Sequence, residues 1–233
     1  MARLSPPPPV EVYRDARENR AMFDRIAHRY DLMNRVLTLG LDAGWRRRAV
    51  AALGLAPGSL VVDLACGTGM LCNDARRSGL RCVGFDVAAG MLAHSHTGAP
   101  LVRGDILRLP LPDGAVDGAV CGFALRNVGD IPGCFAETAR VVRPGGRIGF
   151  LEVAQPESPL LRRGHALWFR HVVPVVGGLL SDRDAYRYLP ASASWLPSPA
   201  ELVAMLRDAG FTAVERRPLG GGGAQLLTGT RAA

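Results

Sequence analysis

The chain contains no lysine, and all 28 of its basic residues are arginine. That absence excludes whole chemistries, because a Walker A phosphate loop, a Schiff base with a carbonyl compound and an amine nucleophile all require the lysine amine. Cysteine is sparse: Cys66, Cys72, Cys82, Cys121 and Cys134 are odd in number and include no Cys-x-x-Cys pair. Such spacing argues against a disulfide framework or a structural zinc site and predicts a reducing, cytoplasmic location. No run reaches the roughly 20 uncharged apolar residues that a membrane-spanning helix needs. The longest candidate, VVPVVGGLLS from Val172, is broken by a proline and two glycines. A signal-peptide pattern is missing as well, and the proline run at 6–9 predicts a flexible, extended leader over residues 1–14.

At 233 residues and 48% apolar content, residues 15–233 suffice for a single domain with its own core. The formal charge of +7 would suit nucleic acid or anionic lipid. Yet the arginines are dispersed among acids without interleaved aromatics, and the all-arginine usage has the character of coding bias, so no nucleic-acid partner is expected.

Residues 15–54 read as two or three helices, because Met22, Phe23, Ile26, Tyr30, Met33 and Leu37 share a broad face. From Leu60 onward, short apolar runs alternate with helical segments, which predicts an α/β fold of βαβ units on a mostly parallel sheet. Residues 155–195 break that rhythm and are expected to form a lid or substrate-cap insertion. A helix over 199–209 stops at Gly210, and FTAVERRPL followed by AQLLTGTR predicts a closing hairpin.

The stretch VVDLACGTGM puts Asp63 at a strand end and Gly67 and Gly69 in the turn before a helix, where backbone can approach a ligand closely. A dinucleotide fingerprint would carry glycine or alanine where Cys72 stands, so that pattern is incomplete. Asp86 ends the next strand, where a carboxylate meets ribose hydroxyls, and Asp105 ends the third. Any one of these acids alone reads as a cap or loop carboxylate. Together, at three successive strand ends, they fit an adenosine joined to a cationic amino-acid tail, which is S-adenosylmethionine. Thr68 reads either as a ligand contact or as a turn residue.

The motifs MFDRIAHRYDLMN (22–34), WRRR from Trp45, DLACGTG (63–69), GFDVAAGML (84–92), FALRNVGD (123–130), VVRPGGR (141–147) and AYRYL (185–189) carry a resemblance. Over residues 21–210 the chain resembles the class I methyltransferases and, more narrowly, the ubiquinone/menaquinone C-methyltransferase family. The resemblance implies a Rossmann-like, seven-stranded sheet with an antiparallel last strand, and methylation of a ring carbon on a prenylated benzoquinol or naphthoquinol. It implies cofactor contacts at Thr68, Asp86, Asp105 and Ile106, completing an expected set of Asp63, Gly67, Thr68, Gly69, Asp86, Val87, Asp105, Ile106 and Gly122. Relatives commonly carry serine at Gly122. The chain departs from the family in LPAS after the Tyr-Leu pair, where an acid is usual, and in GGGGAQLLTG, where an apolar strand ending in histidine is usual. Both departures fall on the acceptor side.

Methylating an aromatic carbon needs an ionised ring oxygen, and a fixed cation favours that form. Arg126 is the candidate, acting on the oxygen directly or through water, because arginine is not itself a base. Asn127 is the candidate for the second ring oxygen, or is a loop amide. His171 has a suitable unperturbed pKa of about 6.5 for a base, or is a packing residue. Tyr30, Tyr186 and Tyr188 line the ring pocket or belong to the core. The triplet from His94 to His96 reads as a helix end, and no metal is expected. The partner is then a small aromatic acceptor, a lipid-tailed quinol, with peripheral membrane contact and a homodimer both compatible. Two other readings remain open: a natural-product C- or O-methyltransferase acting on a soluble phenol or polyketide, and a non-catalytic regulator that binds S-adenosylmethionine.

Overall fold

A computed structural model describes residues 16–167 and 196–233. His171, Tyr186, Tyr188, the AYRYL motif, the 1–14 leader and most of the expected cap lie outside the described residues. The short apolar runs pair into one seven-stranded sheet: β1 (Leu60–Leu64), β2 (Arg81–Asp86), β3 (Leu101–Arg103), β4 (Val116–Gly122), β5 (Val142–Val153), β6 (Phe211–Leu219) and β7 (Ala224–Arg231). Their order is β3-β2-β1-β4-β5-β7-β6. The first five pair in parallel, whereas β7 runs antiparallel to both β5 and β6. Strands covered on both faces read as continuous apolar runs rather than alternating ones. Val61, Val62 and Leu64 of β1, and Ala119, Val120 and Cys121 of β4, are accordingly buried.

Seven helices are described: α1 (Ala16–Leu37), α2 (Asp42–Ala51), α3 (Met70–Arg77), α4 (Ala89–Ala93), α5 (Ile131–Val141), α6 (Pro159–Leu167) and α7 (Pro199–Asp208). Local signals set their starts. Asp130 caps α5 by accepting from the Gly133 amide at 2.8 Å, and Ser198 with Glu201 forms a reciprocal capping box on α7. Beneath α5, Phe135 and Phe150 meet edge to face at 5.0 Å in the main core.

The strand order reverses between β1 and β4, and open α/β sheets leave a crevice outside the strand ends at such a point. Helix α1 is fastened beside that crevice by two charge-assisted bonds. Asp24 accepts from the Gly90 amide at 2.6 Å, and Asp31 accepts from the Thr68 hydroxyl at 2.6 Å.

Three strand boundaries stand out. The strand in CGFAL ends at Gly122, because Phe123 adopts a left-handed φ of +59° and the chain leaves the sheet in a 3-10 turn at Leu125–Asn127. Asp105 stands two residues beyond β3 rather than at its last position. Strand β5 starts at Val142, before the Gly145–Gly146 pair, since Val142 already pairs with Val116 ahead of a register shift. Among the described residues, no helix is long and apolar enough to cross a membrane.

Candidate functional site

Three spaces meet at the carboxyl ends of β1, β2 and β4. A cleft of about 950 Å³ is lined by Gly67, Asp86, Val87, Asp105, Ile106, Gly122 and Asn127. Beside it lies a pocket of about 490 Å³ bounded by Asn34, Arg46, Asp63, Gly67 and Thr68. A groove of about 1330 Å³ runs from Arg126 past Leu37, Trp45 and Leu161 to Gly220. Phe123 lines all three, and Tyr30 lines the first two.

The loop after β1 owes its shape to three left-handed residues, Ala65, Gly67 and Gly69, with φ of +54°, +55° and +81°. Two are glycine, the residue for which this conformation carries no Cβ penalty. The loop is tied to the end of β2 by Asp86, whose two carboxylate oxygens accept from the Gly67 amide and the Ala88 amide, each at 2.8 Å. Burial pushes the Asp86 pKa up, and those amide bonds oppose the rise. Asp105 is exposed and folds its own loop by accepting from the Leu107 amide at 2.9 Å.

Asp63 is 1% exposed. One of its oxygens accepts from the Cys72 amide at 3.1 Å and the Cys72 thiol at 3.3 Å, which caps the first turn of α3. Among the described residues, its other oxygen, Oδ1, has no hydrogen-bond partner. Burial, reinforced by Cys72, raises its pKa well above the usual aspartate value. A buried acceptor of this kind beside a pocket suits a cationic group. The residues present therefore fit an adenosine-linked amino acid such as S-adenosylmethionine.

Arg126 and Asn127, neighbours in sequence, face different spaces: Asn127 lines the cleft and Arg126 lines the groove. The Arg126 guanidinium donates to Glu152 Oε1 at 2.5 Å, and its amide donates to Oε2 at 3.2 Å. Glu152, at the end of β5, is fully buried and also accepts from the Val153 amide at 2.8 Å. The arginine is thus a fixed, charge-compensated cation at the inner wall of the groove. Its positive charge reaches Tyr30, whose phenol is raised by burial, with Arg126 and a hydrogen bond to Asn34 acting in the opposite direction. Gly122 packs closely under Leu71, since a Cβ there would lie 2.7 Å from Leu71 Cδ1. His94 stands at the C-terminus of α4, with Nδ1 2.8 Å from the Gly90 carbonyl.

Sequence reasoning missed four residues that shape the site. Glu152 left a signal, a carboxylate inside the apolar run GRIGFLEV, where charge is rare unless paired. Asp31 and Arg46 sat inside quoted motifs but had no distinguishing pattern of their own. Phe123 left none, because nothing in its residue type announces a left-handed backbone.

A family model described as the ubiE/COQ5 methyltransferase family matches residues 11–231. The chain is 39% identical over 228 residues to a protein of Syntrophotalea carbinolica named ubiquinone/menaquinone biosynthesis C-methyltransferase UbiE, covering 94% of this chain and 96% of that one. It is 42% identical over 219 residues to the demethylmenaquinone methyltransferase of Roseiflexus castenholzii, covering 90% and 92%. Among solved structures, a SAM-dependent methyltransferase from Thermotoga maritima superposes with a TM-score of 0.63 at 20% identity, covering 91% of this chain and 99% of that one. Phosphoethanolamine N-methyltransferase 2 of Haemonchus contortus, solved with S-adenosyl-L-methionine, gives 0.60 at 11% identity over 81% and 52% of the two chains. At such identities the solved structures establish the fold, the class I methyltransferase sheet, and the family match carries the activity. The chain belongs to the ubiE/COQ5 methyltransferase family and is an S-adenosylmethionine-dependent methyltransferase.

Proposed function

We propose that the protein transfers a methyl group to a ring carbon of a lipid-tailed quinol of the demethylmenaquinol type. The observation that carries this reading is the apolar groove of about 1330 Å³, which has a buried Arg126–Glu152 pair at its inner end and meets the cleft at Phe123. The names of the relatives from Syntrophotalea and Roseiflexus support the same acceptor class. Leu39, Leu41, Leu160 and Leu161 line the groove and are exposed, which supports entry of an isoprenoid tail and contact with a lipid surface. Helix α6, the described start of segment 155–195, contributes two of those leucines, in keeping with an acceptor cap.

In this reading the cleft holds the adenosine, with Asp86 at the ribose and Val87, Asp105 and Ile106 around the base, while Gly67, Thr68, Gly69 and Asp63 bound the amino-acid tail. S-adenosylmethionine supplies an electrophilic methyl on a sulfonium. Transfer of that methyl to the ring carbon would leave S-adenosylhomocysteine, and the hydrogen displaced from the ring carbon would be released as a proton to solvent. Arg126 stabilises the ionised ring oxygen that feeds electrons to that carbon, and Glu152 holds the guanidinium in place. Keeping the two reactants in line contributes several kcal/mol, up to roughly 7–11 in favourable cases. Tyr30 and Phe123 close the junction against water.

The test is a product analysis with methyl-labelled cofactor offered demethylmenaquinol, the same head group without its tail, and soluble polyketide phenols. Label is expected on the quinol ring carbon, with a lower KM for the tailed acceptor. Label found only on the soluble phenols overturns the proposal in favour of a natural-product methyltransferase.

A further inference from the structure

Cys66, Cys72 and Cys82 converge behind the glycine loop. Cys66 follows β1, Cys72 stands in the first turn of α3 and Cys82 lies on β2, and the three share one buried cluster with Val61, Leu71 and Ala75. Strand register explains the meeting. Val61 pairs with Cys82 and Asp63 with Gly84, so these four residues point to the face of the sheet that α3 covers. Gly84 leaves the space that Cys66 fills, since a Cβ there would lie 2.7 Å from the Cys66 sulfur.

The Cys72 thiol is the centre of the group. It is in hydrogen-bond contact with the thiols of Cys66 and Cys82, and it donates to Asp63 Oδ2 at 3.3 Å. Those two thiols lower the Cys72 pKa while burial raises that of Asp63, so Cys72 has a proton acceptor in place. Cys72 and Cys82 are 0% and 4% exposed, whereas Cys66 is 8% exposed and lines the pocket of about 490 Å³ beside the glycine loop. A small uncharged oxidant entering that pocket therefore meets Cys66 first. An accessible thiol with a second thiol poised behind it is the arrangement of a redox-sensitive pair.

We propose that Cys66 and Cys72 form a reversible disulfide when a hydroperoxide reaches the empty pocket, and that this bond shuts off cofactor binding. Moving the one proton between the two sulfurs places the thiolate on Cys66. Its attack on hydrogen peroxide forms a sulfur–oxygen bond as the oxygen–oxygen bond breaks, which leaves a sulfenic acid and one water. The Cys72 sulfur gives its proton to Asp63 and displaces the sulfenic oxygen, which leaves as a second water. In sum, two thiols and one peroxide become one disulfide and two waters, with two electrons passing from sulfur to peroxide. The new bond draws Cys66 out of the Gly84 niche towards α3, shifts Gly67 and Thr68 beside it, and removes the thiol hydrogen bond from Asp63. This rests on the reading of the glycine loop as part of the cofactor site. A bound cofactor fills the pocket and protects the pair.

The experiment treats the whole protein with hydrogen peroxide, with and without S-adenosylhomocysteine, and maps its thiols and disulfides by alkylation and peptide mass spectrometry. Calorimetry with S-adenosylhomocysteine follows binding before and after oxidation. A Cys66–Cys72 disulfide is expected, with affinity lowered by about tenfold or more and restored by a dithiol. Ligand at roughly 100 times its Kd should slow the oxidation by up to about 100-fold. Cys72→Ala should lose both the disulfide and the peroxide-induced drop in affinity, and the mapping in wild type decides the matter even where that variant does not fold. Free thiols at Cys66 and Cys72 after treatment, a disulfide at another pair, or a Cys66–Cys72 bond that leaves affinity unchanged each overturns the proposal. Reduced wild type that binds no S-adenosylhomocysteine overturns the cofactor reading instead, because the disulfide is mapped without ligand.

Discussion

Among the described residues, Asp63 holds one oxygen without a hydrogen-bond partner, while burial raises its pKa well above the ordinary value of 3.8. A carboxyl whose folded pKa is raised binds its proton more tightly in the folded state than in the unfolded one. Between the unfolded and folded pKa values, its contribution to stability therefore falls as pH rises. An ammonium group brought to Oδ1 reverses the preference and expels the proton. Affinity for S-adenosylhomocysteine is predicted to rise from about pH 4 up to the raised pKa of Asp63, with a proton released. Calorimetry in two buffers of different ionisation enthalpy registers that release, and Asp63→Asn should abolish it. The second residue-scale prediction concerns Glu152. Glu152→Gln removes the buried carboxylate that holds Arg126 and is expected to lower stability in denaturant unfolding, by up to about 3–5 kcal/mol. The double variant Arg126→Met/Glu152→Gln should recover most of that stability and bind cofactor normally, yet lose turnover by about 100-fold or more. The positions of Asp63, Asp86 and Asp105 could be read from spacing, since parallel βα units return the chain to the same edge at regular intervals. The partner of Arg126 could not, because it lies 26 residues away on a neighbouring strand and only the sheet register joins them.

At the scale of elements, the run of four glycines at 220–223 reads in sequence as low complexity, but it is the tight turn between β6 and β7. Gly220, Gly221 and Gly222 have φ of +54°, +67° and +94°, and a Cβ on Gly220 would overlap the Trp45 ring. The turn thereby docks on α2 and forms one side of the groove. Gly220→Ala is predicted to destabilise the fold by about 1–3 kcal/mol and to raise the acceptor KM, with cofactor affinity unchanged. Thermal unfolding and a KM measurement check both halves. The strands and most helices were readable because apolar periodicity and caps are local. The turn was not, because its meaning depends on Trp45, which is remote in sequence. Phe123 is similar: its left-handed backbone is imposed by the need to leave β4 while its amide still donates to the Leu151 carbonyl at 2.7 Å.

Across the whole molecule, the described lining of the cleft comes from residues 19–30, 65–91, 105–107 and 122–129, whereas that of the groove comes from 34–45, 123–126, 153–164 and 220–223. The lining of the cleft was the more legible of the two in sequence, because it follows the quoted motifs. The groove was less so, because the chain departs from the family at the glycine run 220–223 that lines it, and residues 168–195 lie outside the described residues. The two spaces share Phe123 as their common wall. Under the proposed assignment of the cleft to the cofactor and the groove to the quinol, that arrangement gives the two reactants separate doors, so neither has to leave before the other enters. Initial-rate kinetics should therefore follow a random-order ternary pattern, with S-adenosylhomocysteine competitive against S-adenosylmethionine but noncompetitive against the quinol. A spent cofactor can then be exchanged from water while the tail stays seated, and the enzyme need not surrender a poorly soluble acceptor between unproductive encounters.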